Sequence, residues 1–195
     1  MSGARSVAEG GVLRLISEQH RWNFVIRDRC KPIIQKALHV VRPQFRLDHA
    51  NGIHGVPHWS RVWFHGRALA AALDVIPQVL AWFAFLHDGQ RHNDSRDPQH
   101  GHRAADFAIR LRRVGVISEL AGHEFEYLCE AMRLHSDGHT TGEPTILACW
   151  DADRLDLARV GIRPHPSRLC TEHARSGAHV EEAVRLAVGT QRRTP

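Results

Sequence analysis

The chain has 195 residues, 43% of them hydrophobic and 24% charged, which is the composition of a folded domain with a sizeable core and excludes a disordered chain. The longest unbroken apolar run, Val79 to Leu86, is far too short to cross a bilayer, and Met1 to Gly11 lacks the pattern of a signal peptide, so a cytoplasmic protein with no membrane partner is expected. The formal net charge is +5 and almost all of the basic charge is arginine, spread along the chain rather than clustered, which suits an anionic small molecule and gives no call for nucleic acid.

In chain order, Ile33 to Val41 is a candidate helix closed by Pro43, and residues 46–57 (RLDHANGIHGVP) read as a loop. Trp59, Val62, Trp63, Leu69, Ala70 and Leu73 then recur at helical spacing. Pro77 opens a short apolar helix that ends near Asp88, followed by a polar loop over residues 89–97. Pro98 is placed in the first turn of the next helix, with Ala104, Phe107, Ala108 and Leu111 on one face. Ser118 is read as an N-cap of a helix from Glu119 to Leu134, whose stripe is Ala121, Phe125, Leu128 and Met132. Pro144 starts a helix through Leu157, and a last amphipathic helix covers about Ala178 to Val188. No strand pattern emerges, so an all-α single domain is expected: an N-terminal helical extension over 1–45, a core over 46–160, and a C-terminal helical segment over 161–195 packed on that core.

The four cysteines, Cys30, Cys129, Cys149 and Cys170, form no CxxC pair, which argues against a zinc ribbon and a disulfide scaffold. The sixteen histidines are another matter, because they crowd between residues 49 and 139. The pair His87-Asp88 ends an apolar helix whose buried face is Leu80, Phe83 and Ala84, and His87 continues that face. A buried histidine is ordinary, but a buried carboxylate beside it needs a partner, and a cation answers that need. His58 opens the preceding helix. In the last core helix, the stripe Ile146, Cys149 and Trp150 continues to Asp153, whereas a rival stripe of Leu147 and Leu155 would turn Asp151 inward. The two aspartates stand roughly 200° apart around the axis, so only one of them faces a given point, and the first stripe is preferred. His58, His87, Asp88 and Asp153 are therefore the expected metal ligands. Two imidazoles with two carboxylates suit Mn²⁺, Fe²⁺, Co²⁺, Ni²⁺ or Zn²⁺, and Mg²⁺ less well.

The order H … HD … D across helices resembles the HD superfamily of metal-dependent phosphohydrolases. HWSRV (His58 to Val62) looks like its first-helix motif, FLHDG (Phe85 to Gly89) like its doublet, and ADRLD (Ala152 to Asp156) like the motif whose aspartate closes the site. The resemblance covers roughly residues 54–160 and implies an all-α HD-type bundle with a divalent metal, acting on a small phosphoester or nucleotide. It also implies a second tier: His100 and His135 are the candidates for a further metal, a phosphate contact or proton transfer, the other reading of either being a plain surface histidine at a loop edge. His135 points inward on its own stripe, at i+3 from Met132; Asp94 either orients a water or caps its loop. Arg61, Arg91 and Arg154 are the candidates for phosphate contacts. The chain departs from the alarmone-hydrolase pattern HDxxED, since HDGQRHND places Arg91 where that subfamily has an acid. A binding module that senses a nucleotide or a metal without turning it over is the other reading of the same motifs.

Overall fold

The computed structural model describes residues 29–191, and it is all-α, with no strand among them. The first helix, α1, occupies residues 29–41 and runs into a 3₁₀ turn, Arg42–Gln44, where Pro43 removes a donor. The helices that follow are α2 (Val56–Ala72), α3 (Pro77–Leu86), α4 (His100–Arg113), α5 (Gly122–Leu134), α6 (Pro144–Leu155), the four-residue α7 (Glu172–Arg175) and α8 (Gly177–Gln191). The part of the expected N-terminal extension before residue 29 lies outside the described residues.

The centre of the bundle is α3. Every residue from Val79 to Leu86 is buried, as a helix apolar all round must be, and α2, α5 and α6 surround it. A proline in the first turn starts α2, α3 and α6, where a missing N–H costs no helical bond. The Glu143 side chain caps α6 by accepting from the N–H groups of Thr145 (2.8 Å) and Ile146 (3.1 Å). Trp150 fills the seam between α5 and α6 and donates its indole N–H to the Ala131 carbonyl at 3.0 Å. α4 packs outside α5 on a face of Ala104, Ala105, Phe107, Ala108 and Leu111. The crossing is close because residue 101 is glycine: a Cβ there would meet the Met132 carbonyl oxygen at 2.3 Å. The C-terminal α8 packs on α2 and on a 3₁₀ segment, Asp156–Val160, that continues α6.

Several boundaries differ from the sequence expectation: α1 already runs at residue 29, ahead of Ile33, α2 takes in Val56 and Pro57 from the expected loop, and α8 continues to Gln191. α5 begins at Gly122, not at Glu119, and Ser118 is not its cap. The Glu119 carboxylate is engaged elsewhere, accepting from Trp82 Nε1 at 2.9 Å and pairing with Lys36, while Glu124 accepts from the Ala121 N–H at 2.7 Å to start the helix. Pro98 stands in the turn ahead of α4 rather than inside its first turn. α6 ends at Leu155, where the chain tightens into the 3₁₀ segment that Gly161 terminates at φ 78°, a left-handed angle suited to glycine.

Candidate metal centre

Four histidines come together from four helices or helix ends: His58 from the first turn of α2, His87 after α3, His100 from the start of α4 and His135 after α5. In each, Nδ1 sits against an oxygen that carries no hydrogen. His58 Nδ1 is 2.7 Å from Asp156 Oδ2, His87 Nδ1 is 3.0 Å from the Phe83 carbonyl, and His135 Nδ1 is 2.7 Å from the Met132 carbonyl. His100 Nδ1 is 2.5 Å from the Asp97 carbonyl. Nδ1 is thus the donor in all four rings, which turns the Nε2 atoms and their lone pairs toward one another.

Those lone pairs converge. His58 Nε2 and His87 Nε2 are 3.2 Å apart, and His100 Nε2 and His135 Nε2 are 2.7 Å apart. Two bare nitrogens at such distances repel unless a proton or a metal stands between them. Carboxylates close the group. Asp153 Oδ1 lies 3.4 Å from His58 Nε2 and 3.7 Å from His87 Nε2. Asp88 straddles the two pairs: its Oδ2 is 3.5 Å from both His58 and His87, and its Oδ1 is 3.2 Å from His100 and 3.8 Å from His135. The ligand atoms of His58, His87 and Asp153, and separately of His87, Asp88 and His135, all lie within 4.8 Å of one another. These buried His and Asp groups can hold a metal ion.

The electrostatics match a cation site. Burial would raise the Asp88 and Asp153 carboxyls, yet the surrounding histidines hold both well below the usual carboxylate range. Burial and the Arg159 charge would lower His58, but Asp153, Asp156 and Asp88 outweigh them and raise it to about 9. A ring that draws a proton so strongly is one that carboxylates have prepared for positive charge. His58, His87 and Asp88 are closed to solvent, and Asp153, with 15% of its side chain exposed, marks the opening.

The other expected site residues fall in different places. Arg91 reaches the centre, with Nη1 3.4 Å from Asp88 Oδ1 and 3.3 Å from His100 Nε2. Arg61 is nearby but bound to Asp156, through Nε at 2.6 Å and Nη2 at 3.1 Å, so it acts on the His58 side through that carboxylate. Asp94 is half exposed and accepts from His54 Nδ1 at 2.9 Å, and the His54 ring stands 6.3 Å from that of His58. Burial lowers the pKa of His54, against the pull of Asp88 and Asp94. Arg154 is not brought to the centre. It points to the opposite side of α6, where Nη1 donates to the Arg168 carbonyl at 3.0 Å and contacts Cys170 Sγ at 3.2 Å. Asp151 faces that side too, accepting from the N–H groups of Cys170 (2.6 Å) and Thr171 (2.8 Å).

Three site residues were not singled out from sequence. Asp156 follows Asp153 by one helical turn, and that i+3 spacing was the available signal. Arg159 follows Asp156 by the same step; its Nη1 donates to the Asp156 carbonyl and its Nε to the Ile53 carbonyl. His54 offers no local signal, since Gly55 and Pro57 break a helical HxxxH with His58, and its place beside Asp94 joins residues 40 positions apart. No family model, no curated protein and no solved structure matches the chain.

Proposed function

We propose that this protein is a metal-dependent phosphohydrolase of the HD type, acting on a small phosphoester or nucleotide. The observation that carries the reading is the set of four buried imidazoles, each with Nδ1 tied to an oxygen and Nε2 turned onto shared carboxylates, the arrangement by which proteins orient histidines for a metal. His58, His87, Asp88 and Asp153 would hold the cation, and four protein ligands leave coordination positions for water and substrate. A divalent ion held there would supply Lewis acidity to a phosphoryl oxygen and bring the pKa of a bound water toward neutrality.

The remaining work falls to the chain's own side chains. Asp156 fixes the His58 tautomer, and Arg61 holds Asp156 in turn. His54, oriented by Asp94 at the edge of the centre, is a proton carrier of the imidazole–carboxylate kind. Arg91 supplies a fixed positive charge for anionic oxygens. The four cysteines are free thiols and, among the described residues, no helix is long and apolar enough to cross a membrane; a cytoplasmic setting goes with this reading.

The test is phosphate release from a panel of phosphomonoesters, phosphodiesters and nucleotides with Mn²⁺, Co²⁺, Ni²⁺ or Mg²⁺. Turnover that EDTA suppresses and Asp88→Ala removes is expected. Nucleotides that raise the melting temperature without any metal-dependent turnover would instead favour the sensing module, which the engagement of Arg61 and Arg154 inside the protein also fits.

A further inference from the structure

The two histidine pairs are not equivalent, and the difference bears on how many metals the centre takes. Two nitrogens bound to one metal at about 2.1 Å, with a ligand angle between 90° and tetrahedral, stand roughly 3.0–3.4 Å apart. The His58–His87 separation of 3.2 Å meets that requirement. The His100–His135 separation of 2.7 Å is shorter than it and has the length of a hydrogen bond. Beside the short pair stands a guanidinium. Arg91 Nη1 is 3.3 Å from His100 Nε2 and 3.4 Å from Asp88 Oδ1, the atoms that a metal in this tier would need.

Arg91 is held there by its own loop. Nη2 donates to the Ser95 carbonyl at 2.7 Å and Nε to the Asn93 carbonyl at 3.3 Å. The loop is fastened in turn: Asp97 Oδ2 accepts from the His92 N–H at 2.8 Å and from Arg103 Nη2 at 2.5 Å, and Arg103 Nε donates to the Gln90 carbonyl at 3.0 Å. The guanidinium is 10% exposed and fixed along both edges, so it has no solvated position to retreat to without the loop opening. Its N–H groups aim at the lone pairs a cation would use, and a guanidinium stays charged at any working pH.

Resting on the phosphohydrolase reading, we propose that Arg91 takes the place of a second metal ion, so that the centre binds one divalent cation, at His58, His87, Asp88 and Asp153, and the His100–His135 tier is closed to metal by the guanidinium. Asp88 then divides its oxygens between a metal and an arginine. The tier becomes a fixed positive surface for a phosphoryl oxygen, lying next to the metal.

The experiment is a metal count on the full chain, stripped with chelator, reloaded with Mn²⁺ or Co²⁺, desalted and analysed for metal per polypeptide. One equivalent is expected for the unchanged protein. Arg91→Ala and Arg91→Met, with folding checked by circular dichroism, should each bind a second equivalent, because Asp88 Oδ1, His100 and His135 are released. Two equivalents in the unchanged protein would overturn the proposal while leaving the phosphohydrolase reading intact. No bound metal would overturn both. One equivalent before and after either substitution would show that Arg91 does not exclude the second ion.

Discussion

Asp156→Asn is the perturbation that separates a metal centre from a buried polar cluster. Asp156 is completely buried and accepts three hydrogen bonds, from His58 Nδ1 at 2.7 Å and from Arg61 at 2.6 and 3.1 Å. Asparagine keeps the shape but replaces one acceptor oxygen with a donor. If the amide oxygen stays with Arg61, the amide N–H₂ faces His58 Nδ1, and the ring must move its proton to Nε2, the tautomer that cannot ligate. Loss of such an orienting partner costs about 10- to 100-fold in metal affinity. Folding of the metal-free protein should lose about 1–3 kcal/mol from the donor left without an acceptor. Calorimetric titration with Mn²⁺ or Co²⁺ against a competing chelator reads the first effect, and urea unfolding in EDTA reads the second. A variant that loses stability yet binds metal as tightly as the unchanged protein would refute the reasoning, because His58 would then not depend on its Nδ1 partner.

Gly101→Ala sets two effects against each other. Helix propensity favours alanine by about 1 kcal/mol, but the new Cβ would lie 2.3 Å from the Met132 carbonyl and 3.1 Å from that of Arg133, an overpacking that costs about 1–3 kcal/mol or more. The contact is with backbone, so packing should win and the melting temperature should fall by several degrees; an unchanged or higher value would mean that α4 and α5 separate freely. His65 is fully buried with neither ring nitrogen hydrogen-bonded, and burial lowers its pKa to about 4. The folded state keeps it neutral while the unfolded chain protonates it below about 6.5, so its contribution, about 3 kcal/mol, is present near pH 7 and is lost as pH falls from 6.5 toward 4. His65→Leu should therefore shrink the difference in unfolding free energy between pH 7 and pH 4.5, and an equal difference in both proteins would contradict this. Asp151→Ala should destabilise the protein by loosening Cys170 and Thr171 while leaving metal affinity intact, and Asp153→Ala should do the reverse. The pair is scored by melting temperature in EDTA and by metal titration.

Much of this was legible in the sequence, and the parts that were not share a physical cause. The stripe Ile146, Cys149 and Trp150 put Asp153, and not Asp151, on the face of α6 that meets His58 and His87. Helical periodicity carries that kind of information because it assigns faces. It does not assign the far end of a long side chain, which is why Arg154, next in sequence to Asp153, was expected at the centre and instead crosses Trp150 to reach the Arg168 carbonyl. Nor does it show partners that meet only after folding. Asp156 with His58, and Asp94 with His54, join residues 98 and 40 positions apart. The early start expected for α5 failed because Glu119 found a tertiary partner in Trp82, which no local pattern in residues 118–134 reveals.

The central claim is that a divalent metal sits among His58, His87, Asp88 and Asp153. Anomalous diffraction from crystals grown with Mn²⁺ tests it most directly, since the ion can be located against its ligands without reference to activity. The account predicts one strong anomalous peak within coordinating distance of His58 Nε2, His87 Nε2 and the two aspartate carboxylates. Density at that position with no anomalous signal, and with the same four side chains hydrogen-bonded to water or to one another, would contradict it.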